Sequence, residues 1–565
     1  MEIKKLLLTG SCAMALSLLG ACSGDTSSGA SSDEPTSSSN GDIQSSANEN
    51  GPSSSNSDGG NSSPATTSSS SIADSDDPQM ACSEIMYNAA DGSTLEWIEI
   101  YIAGGMDMDN MSNFDLHLSG AVDFNFPEES FKKGEYIVVT NDTAAFRSTY
   151  KGNIRIFQWD GGSSVKLSNE GDVVNVKVSG EGDVSCAFGN EPPWPSLADG
   201  KGHTLVYLGG NAAQPNSWAA SDTVGGRPGV GNDKWLKPAS VRINEIMPNI
   251  GQDPAWIELY NTGSEEVDVE GWTLEVKRRK QTLTIKSGTV STKIPAKGYV
   301  VLDAVDNFIN IEDPDKSELV VSPEGGEFYL HGKLEGEESS IWVPAGTGTS
   351  GVVDLSDGST AQGPLAKATK NEKNSALQIG SVYINEIHYH PNESSSIPFE
   401  FMELVNSSDN DITLYNATMT KGWRIEGVGL DIPNIVIPGK GMILLIPEAL
   451  DPVVMENAHI TNWGPDLVRS TYNIADNVQI ITYPGKLSNR SETIAVKEPY
   501  KKEESKSAAS GYAYFYIWHD ATLYSDNWPS LADADGFGYS LQRKDISTMG
   551  YEASAWTAAE PTPGK

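Results

Sequence analysis

One pattern occurs three times in this chain and limits what it can fold into. The clearest copy reads Val241-Arg242-Ile243-Asn244-Glu245-Ile246-Met247-Pro248, a short loop, then Ala255-Trp256-Ile257-Glu258-Leu259-Tyr260-Asn261. Downstream it recurs as Tyr383-Ile384-Asn385-Glu386-Ile387-His388-Tyr389 and Glu400-Phe401-Met402-Glu403-Leu404-Val405-Asn406. Upstream a degraded copy runs Cys82-Ser83-Glu84-Ile85-Met86-Tyr87-Asn88, then Glu96-Trp97-Ile98-Glu99-Ile100-Tyr101. A period of this length is a repeat of whole domains. Each copy reads as two short strands, rich in Ile, Trp and Tyr and bounded by turn formers. Ile257 and Leu259 share one parity, and Trp256, Glu258 and Tyr260 the other. One strand face is therefore aliphatic and the other mixed.

Further matches follow each pair of strands. Gly271-Trp272-Thr273-Leu274 corresponds to Gly422-Trp423-Arg424-Ile425. Ile294-Pro295-Ala296-Lys297-Gly298-Tyr299-Val300-Val301-Leu302 corresponds to Ile437-Pro438-Gly439-Lys440-Gly441-Met442-Ile443-Leu444-Leu445, and Phe131 to Val139 is the first form. A glycine turn feeding an apolar run predicts a buried strand. The expected fold class is all-β: three tandem immunoglobulin-like sandwiches. The weak joins are 233–238 and the polar stretch 366–375. They divide the folded part into domains at 79–236, 237–375 and 376–565.

The N-terminus is of another kind. Lys4 and Lys5 precede the apolar stretch Leu6 to Leu19, so residues 1–21 read as a secretory signal. The signal ends in Leu19-Gly20-Ala21-Cys22, which resembles a bacterial lipobox. In that class of signal the cysteine becomes an acylated N-terminus, so Cys22 is the expected lipidation site. Ser23 after the cysteine favours the outer membrane, by resemblance to sorting in Gram-negative bacteria. Residues 22–78 are a Ser, Gly, Asn and Asp tract that cannot bury enough surface to fold. They are expected to form a disordered tether with a reach of roughly 40 Å.

The chain carries 39 basic and 77 acidic residues, for a formal charge of −38. So acidic a chain repels phosphate backbones, and no nucleic-acid partner is expected. After the N-terminus no apolar run is long enough to span a bilayer.

The order "INEI", "WIELYN", "GWxL", "IPAKGYVVL" resembles the lamin-tail domain, an immunoglobulin-like β-sandwich. Leu167-Ser168-Asn169-Glu170-Gly171-Asp172-Val173-Val174 in the first domain is similar to that family. Trp194-Pro195-Ser196-Leu197-Ala198-Asp199-Gly200 resembles the ending of its bacterial version, as do Trp528-Pro529-Ser530-Leu531-Ala532-Asp533 and Pro561-Thr562-Pro563-Gly564 in the third. The second domain lacks that ending, and the third departs most around Pro447 to Asp476. The resemblance implies a binding module and names no ligand.

Several residues invite chemistry. The pairs Glu84 with Glu99, Glu245 with Glu258, and Glu386 with Glu403 could act as acid and base or as cation ligands. Their appearance in every domain favours a scaffold role, with a turn N–H or an arginine such as Arg543 as partner. Asp533 and Asp535 have D-x-D spacing suited to a calcium loop and equally to a turn, as do Asp107 and Asp109. His388 and His390 share a strand face but lack an evident third ligand. Tyr512, Tyr514, Tyr516 and Trp518 form an aromatic stripe that could stack on glycans or pack in the core. Cys82 and Cys186, the two cysteines of the folded part, are the candidate disulfide. No catalytic residue, metal site or cofactor is assigned, with Ca²⁺ the one cation considered; no H-E-x-x-H or G-x-S-x-G motif is present. The expectation is a lipid-anchored envelope protein, non-enzymatic, with a binding, adhesion or structural role toward a protein or polysaccharide ligand. The alternatives are a polysaccharide-binding surface protein, or an extracellular hydrolase or accessory to one.

Overall fold

The computed structural model describes residues 80–565, apart from 91, 103–115, 128–130, 179–183, 232–233, 393–398, 451, 490, 507, 509 and 526–527. Cys22, the tether, Asp107 and Asp109 therefore lie outside the described residues. The described chain is built of strands, and three pairs of larger sheets follow one another along it.

Each pair begins with the repeated strands. In the first, Met80–Met86 and Trp97–Ile102 sit inside a six-stranded sheet. A four-stranded sheet containing Gly171–Val178 and Val184–Gly189 supplies the other layer. Ile85, Ile98 and Ile100 of one sheet bury against Leu118, Val174 and Phe188 of the other. In the second, Val241–Met247 and Trp256–Asn261 belong to one five-stranded sheet, and Gly326–His331 and Glu338–Val343 to another. In the third, Val382–His388 and Phe401–Asn406 lie in a six-stranded sheet, opposite a four-stranded sheet ending in the long hairpin Ser491–Glu504 and Tyr512–Ser525. Three separate cores fill the three sandwiches. Ile257 and Leu259 lie in the second core, at 1% and 0% exposure.

The opening strand carries the same irregularity in each copy. Ile243 opposes Leu259 and Glu245 opposes Glu258, so Asn244 is skipped in the register. Ser83 and Asn385 are skipped likewise. An extra residue on one strand is a β-bulge, which re-aims side chains without breaking the ladder. Here it sets two glutamates directly opposite each other.

The first and third sandwiches add a parallel strand to the main sheet. Tyr136–Thr140 pairs with Arg155–Gln158 after the helix Thr143–Thr149, whose Asp142 cap accepts from the Ala145 amide at 2.9 Å. Met442–Pro447 pairs with Gln479–Tyr483 after the helices Pro452–Asn457 and Pro465–Tyr472. The divergent stretch around Pro447 to Asp476 is thus helical crossover. Phe146 in the first crossover and Val468 in the third cover the outer face of their sheets. The second sandwich ends its main sheet with the hairpin Ser350–Asp354 and Thr360–Pro364. Cys82 and Cys186 are joined, S–S 2.11 Å and Cα–Cα 6.3 Å, linking the two sheets of the first sandwich.

Candidate functional site

The paired glutamates are buried in all three sandwiches, at 0–1% exposure. A buried carboxylate needs donors on both oxygens. The same set appears three times. A hydroxyl leading into a later strand reaches the first glutamate: Thr204 Oγ1 donates to Glu84, Thr349 Oγ1 to Glu245, and Ser540 Oγ to Glu386. The bulge residue reaches the second: Ser83 Oγ to Glu99 at 2.7 Å, Asn244 Nδ2 to Glu258 at 2.8 Å, and Asn385 Nδ2 to Glu403 at 2.7 Å.

A closing turn from the end of each sandwich supplies two backbone amides, two residues apart. Arg227 N–H donates to Glu84 at 3.0 Å and Gly229 N–H to Glu99. Thr369 N–H donates to Glu245 at 3.1 Å and Asn371 N–H to Glu258. Thr562 N–H donates to Glu386 at 2.8 Å and Gly564 N–H to Glu403 at 2.7 Å. The turn of the second sandwich falls within 366–375, which composition alone suggests is a loose join. In fact Thr369, Asn371 and Asn374 tie it down. The approach is close: a Cβ on Gly226, where φ is +70°, would overlap Glu84 Oε1. Burial lifts Glu84, Glu258 and Glu403 above the ordinary carboxyl range, up to about 7, and Glu99, which also faces Glu84, up to about 8.

The other candidates are scattered. Arg543 pairs with Asp520 at 3.2 Å, both fully buried, and not with a glutamate, because Glu386 is already served by Ser540 and Thr562. His388 is buried, its Nδ1 is 3.1 Å from the Phe399 carbonyl, and burial pushes its pKa down to about 4. His390 turns instead to Asp535, at 2.5 Å. Asp533 is exposed in the turn that begins as a short 3-10 helix at Pro529. Among the described residues no three His, Cys, Asp or Glu side chains stand together as a metal site. In the aromatic stripe, Lys502 lies over Tyr512, Lys421 over Tyr514 and Lys497 over Trp518, at 4.7–5.0 Å. These rings hold cations of their own sandwich.

The sandwiches also meet one another. Ser196 donates to Glu338 at 2.6 Å, and Gln362 to the Pro192 carbonyl at 2.8 Å. The Ala345 amide donates to the Tyr516 carbonyl at 2.9 Å. Where the three converge lies a cleft of about 870 Å³, lined from all three. Its walls include Trp194 from the first sandwich, Trp342 from the second and Trp518 from the third. Of the four stripe aromatics, Trp518 is the one that lines it. Sequence reading does not group these indoles, because the sandwich junctions, not chain proximity, bring them together.

Residues 237–338 match the model of the lamin tail domain. The matched lamin tail domain stretch holds the repeated strands of the second sandwich and stops at Glu338, before its closing turn. The family fold is an immunoglobulin-like β-sandwich, compatible with a non-catalytic binding or structural role. Searches of curated proteins and of solved structures returned no match.

Proposed function

We propose that this is a lipid-anchored, outer-membrane binding protein made of three tandem lamin-tail-like domains, without catalytic activity. The observation that carries this reading is the repeated glutamate turn. All three glutamate pairs accept hydrogen bonds from their own chain, so they are spent on holding the sandwich closed. Recurrence of that turn in the first and third sandwiches also supports extending the lamin-tail likeness beyond 237–338. Cys22 supplies the membrane attachment and residues 22–78 the reach away from it. Replacing Cys22 with Ala is expected to abolish fatty-acid labelling and release the protein from the membrane fraction. Labelling and retention that persist in Cys22→Ala would refute the anchor.

A further inference from the structure

The cleft between the sandwiches has the walls of a sugar site. Trp194, Trp342 and Trp518 are all partly exposed there, and each comes from a different sandwich. A β-linked glucose or xylose ring carries its hydroxyls around its equator. Its two faces are flat C–H surfaces, and these fit the negative face of an indole. The Trp194 ring is seated where only glycine permits: a Cβ on Gly189 would stand 2.8 Å from the indole. Trp518 is held by Lys497 at 4.7 Å, and Lys497 pairs with Glu426 at 2.8 Å. That pair and the exposed Glu191 give donors and acceptors beside the rings for hydroxyl groups. The volume lies in the range of sites that enclose small ligands.

Charge narrows the class. The lining holds six carboxylate side chains against two cations, Arg242 and Lys497, in a chain of net charge −38. An anionic glycan would be repelled. We propose that this cleft binds a neutral β-linked glycan chain, with its pyranose rings stacked on Trp194 and Trp342, and with Trp518, capped by Lys497, closing the wall between them. The assignment rests on the non-catalytic binding role and gives it a ligand class.

The test is calorimetric titration of the full-length protein in detergent with cellohexaose, xylohexaose and, as the anionic control, hexagalacturonate. At least one neutral hexamer is expected to bind, and hexagalacturonate is not. Trp194→Ala and Trp342→Ala should each weaken binding by about tenfold, the equivalent of one lost aromatic stack. Tyr512→Ala, on the stripe but outside the cleft, should leave it unchanged. Gly189→Ala, which crowds Trp194 without removing an aromatic, should weaken binding with the melting transition kept; it decides the matter if a tryptophan variant fails to fold. Absence of binding by both neutral hexamers would overturn the proposal. So would preference for hexagalacturonate, affinity indifferent to Trp194 and Trp342, or stronger binding of a decaproline peptide at the same indoles. If the bound hexamer is cut, the non-catalytic reading falls and the cleft stands. If nothing binds while Cys22 still anchors the protein, the cleft assignment falls and that reading stands.

Discussion

At Glu99 two requirements oppose each other. The carboxyl is fully buried opposite Glu84, which favours its neutral form, while Ser83 and Gly229 donate to it, which favours the charged one. Burial is the larger influence and lifts the group from 4.5 up to about 8. A folded-state value above the unfolded one means that the native state binds the extra proton. The stability this brings is fully present below about pH 4.5 and is lost as pH rises through about 7–8. The melting temperature is therefore expected to fall between about pH 4.5 and 8 and level off above, and the fall should shrink in Glu99→Gln, which cannot ionise. A melting temperature that is flat over that window, or a Glu99→Gln curve parallel to wild type, would contradict this assignment. The glutamate pairs stand out in the sequence because they repeat. Their partners do not, since backbone amides of Arg227, Thr369 and Thr562 carry no side-chain signature.

At the scale of the strand, alternation does most of the specifying. Ile257 and Leu259 fill the core, while Glu258 on the other face is closed over by the turn at Thr369 to Asn371. Both faces are buried, one by a sheet and the other by a single turn. Leu259→Ala should cost about 2–5 kcal/mol in denaturant unfolding, a cavity in a filled core. A silent Leu259→Ala would mean that the strand faces the other way. Parity was readable here because Ile and Leu are spaced by two. The bulge at Asn244 was not, because Asn fits a strand and a turn alike, and only the register shows that it is skipped. The crossover helices were equally hard to see: Thr143–Thr149 and Pro465–Tyr472 are too short for a helical period to build up.

Across the whole molecule, what the sequence shows least is assembly. Trp194, Trp342 and Trp518 share a cleft only because contacts such as Ser196 to Glu338 set one sandwich against the next. The disulfide is local to the first sandwich; Ile243 and Ile384 stand at the place of Cys82 in the other two. Deleting residues 561–565 would remove the backbone donors of Glu386 and Glu403 and uncover both carboxylates, each lost charge-assisted hydrogen bond costing about 1.5–3 kcal/mol. Calorimetry should then show the third sandwich melting earlier and the other transitions unmoved. If all transitions shift together, the closing turn does not act on its own sandwich alone. The turns have a temporal side as well. Their amides sit 143, 124 and 176 residues after the first glutamate of each pair. A chain emerging from its N-terminus thus makes the two carboxylates of a sandwich early and their donors near its end. Until that turn arrives, the carboxylates stay in water, and the sheet around them pays for loop closure without return. Each sandwich is therefore committed to its native state late and one at a time, in the order of emergence, like a row of boxes whose lids are attached last.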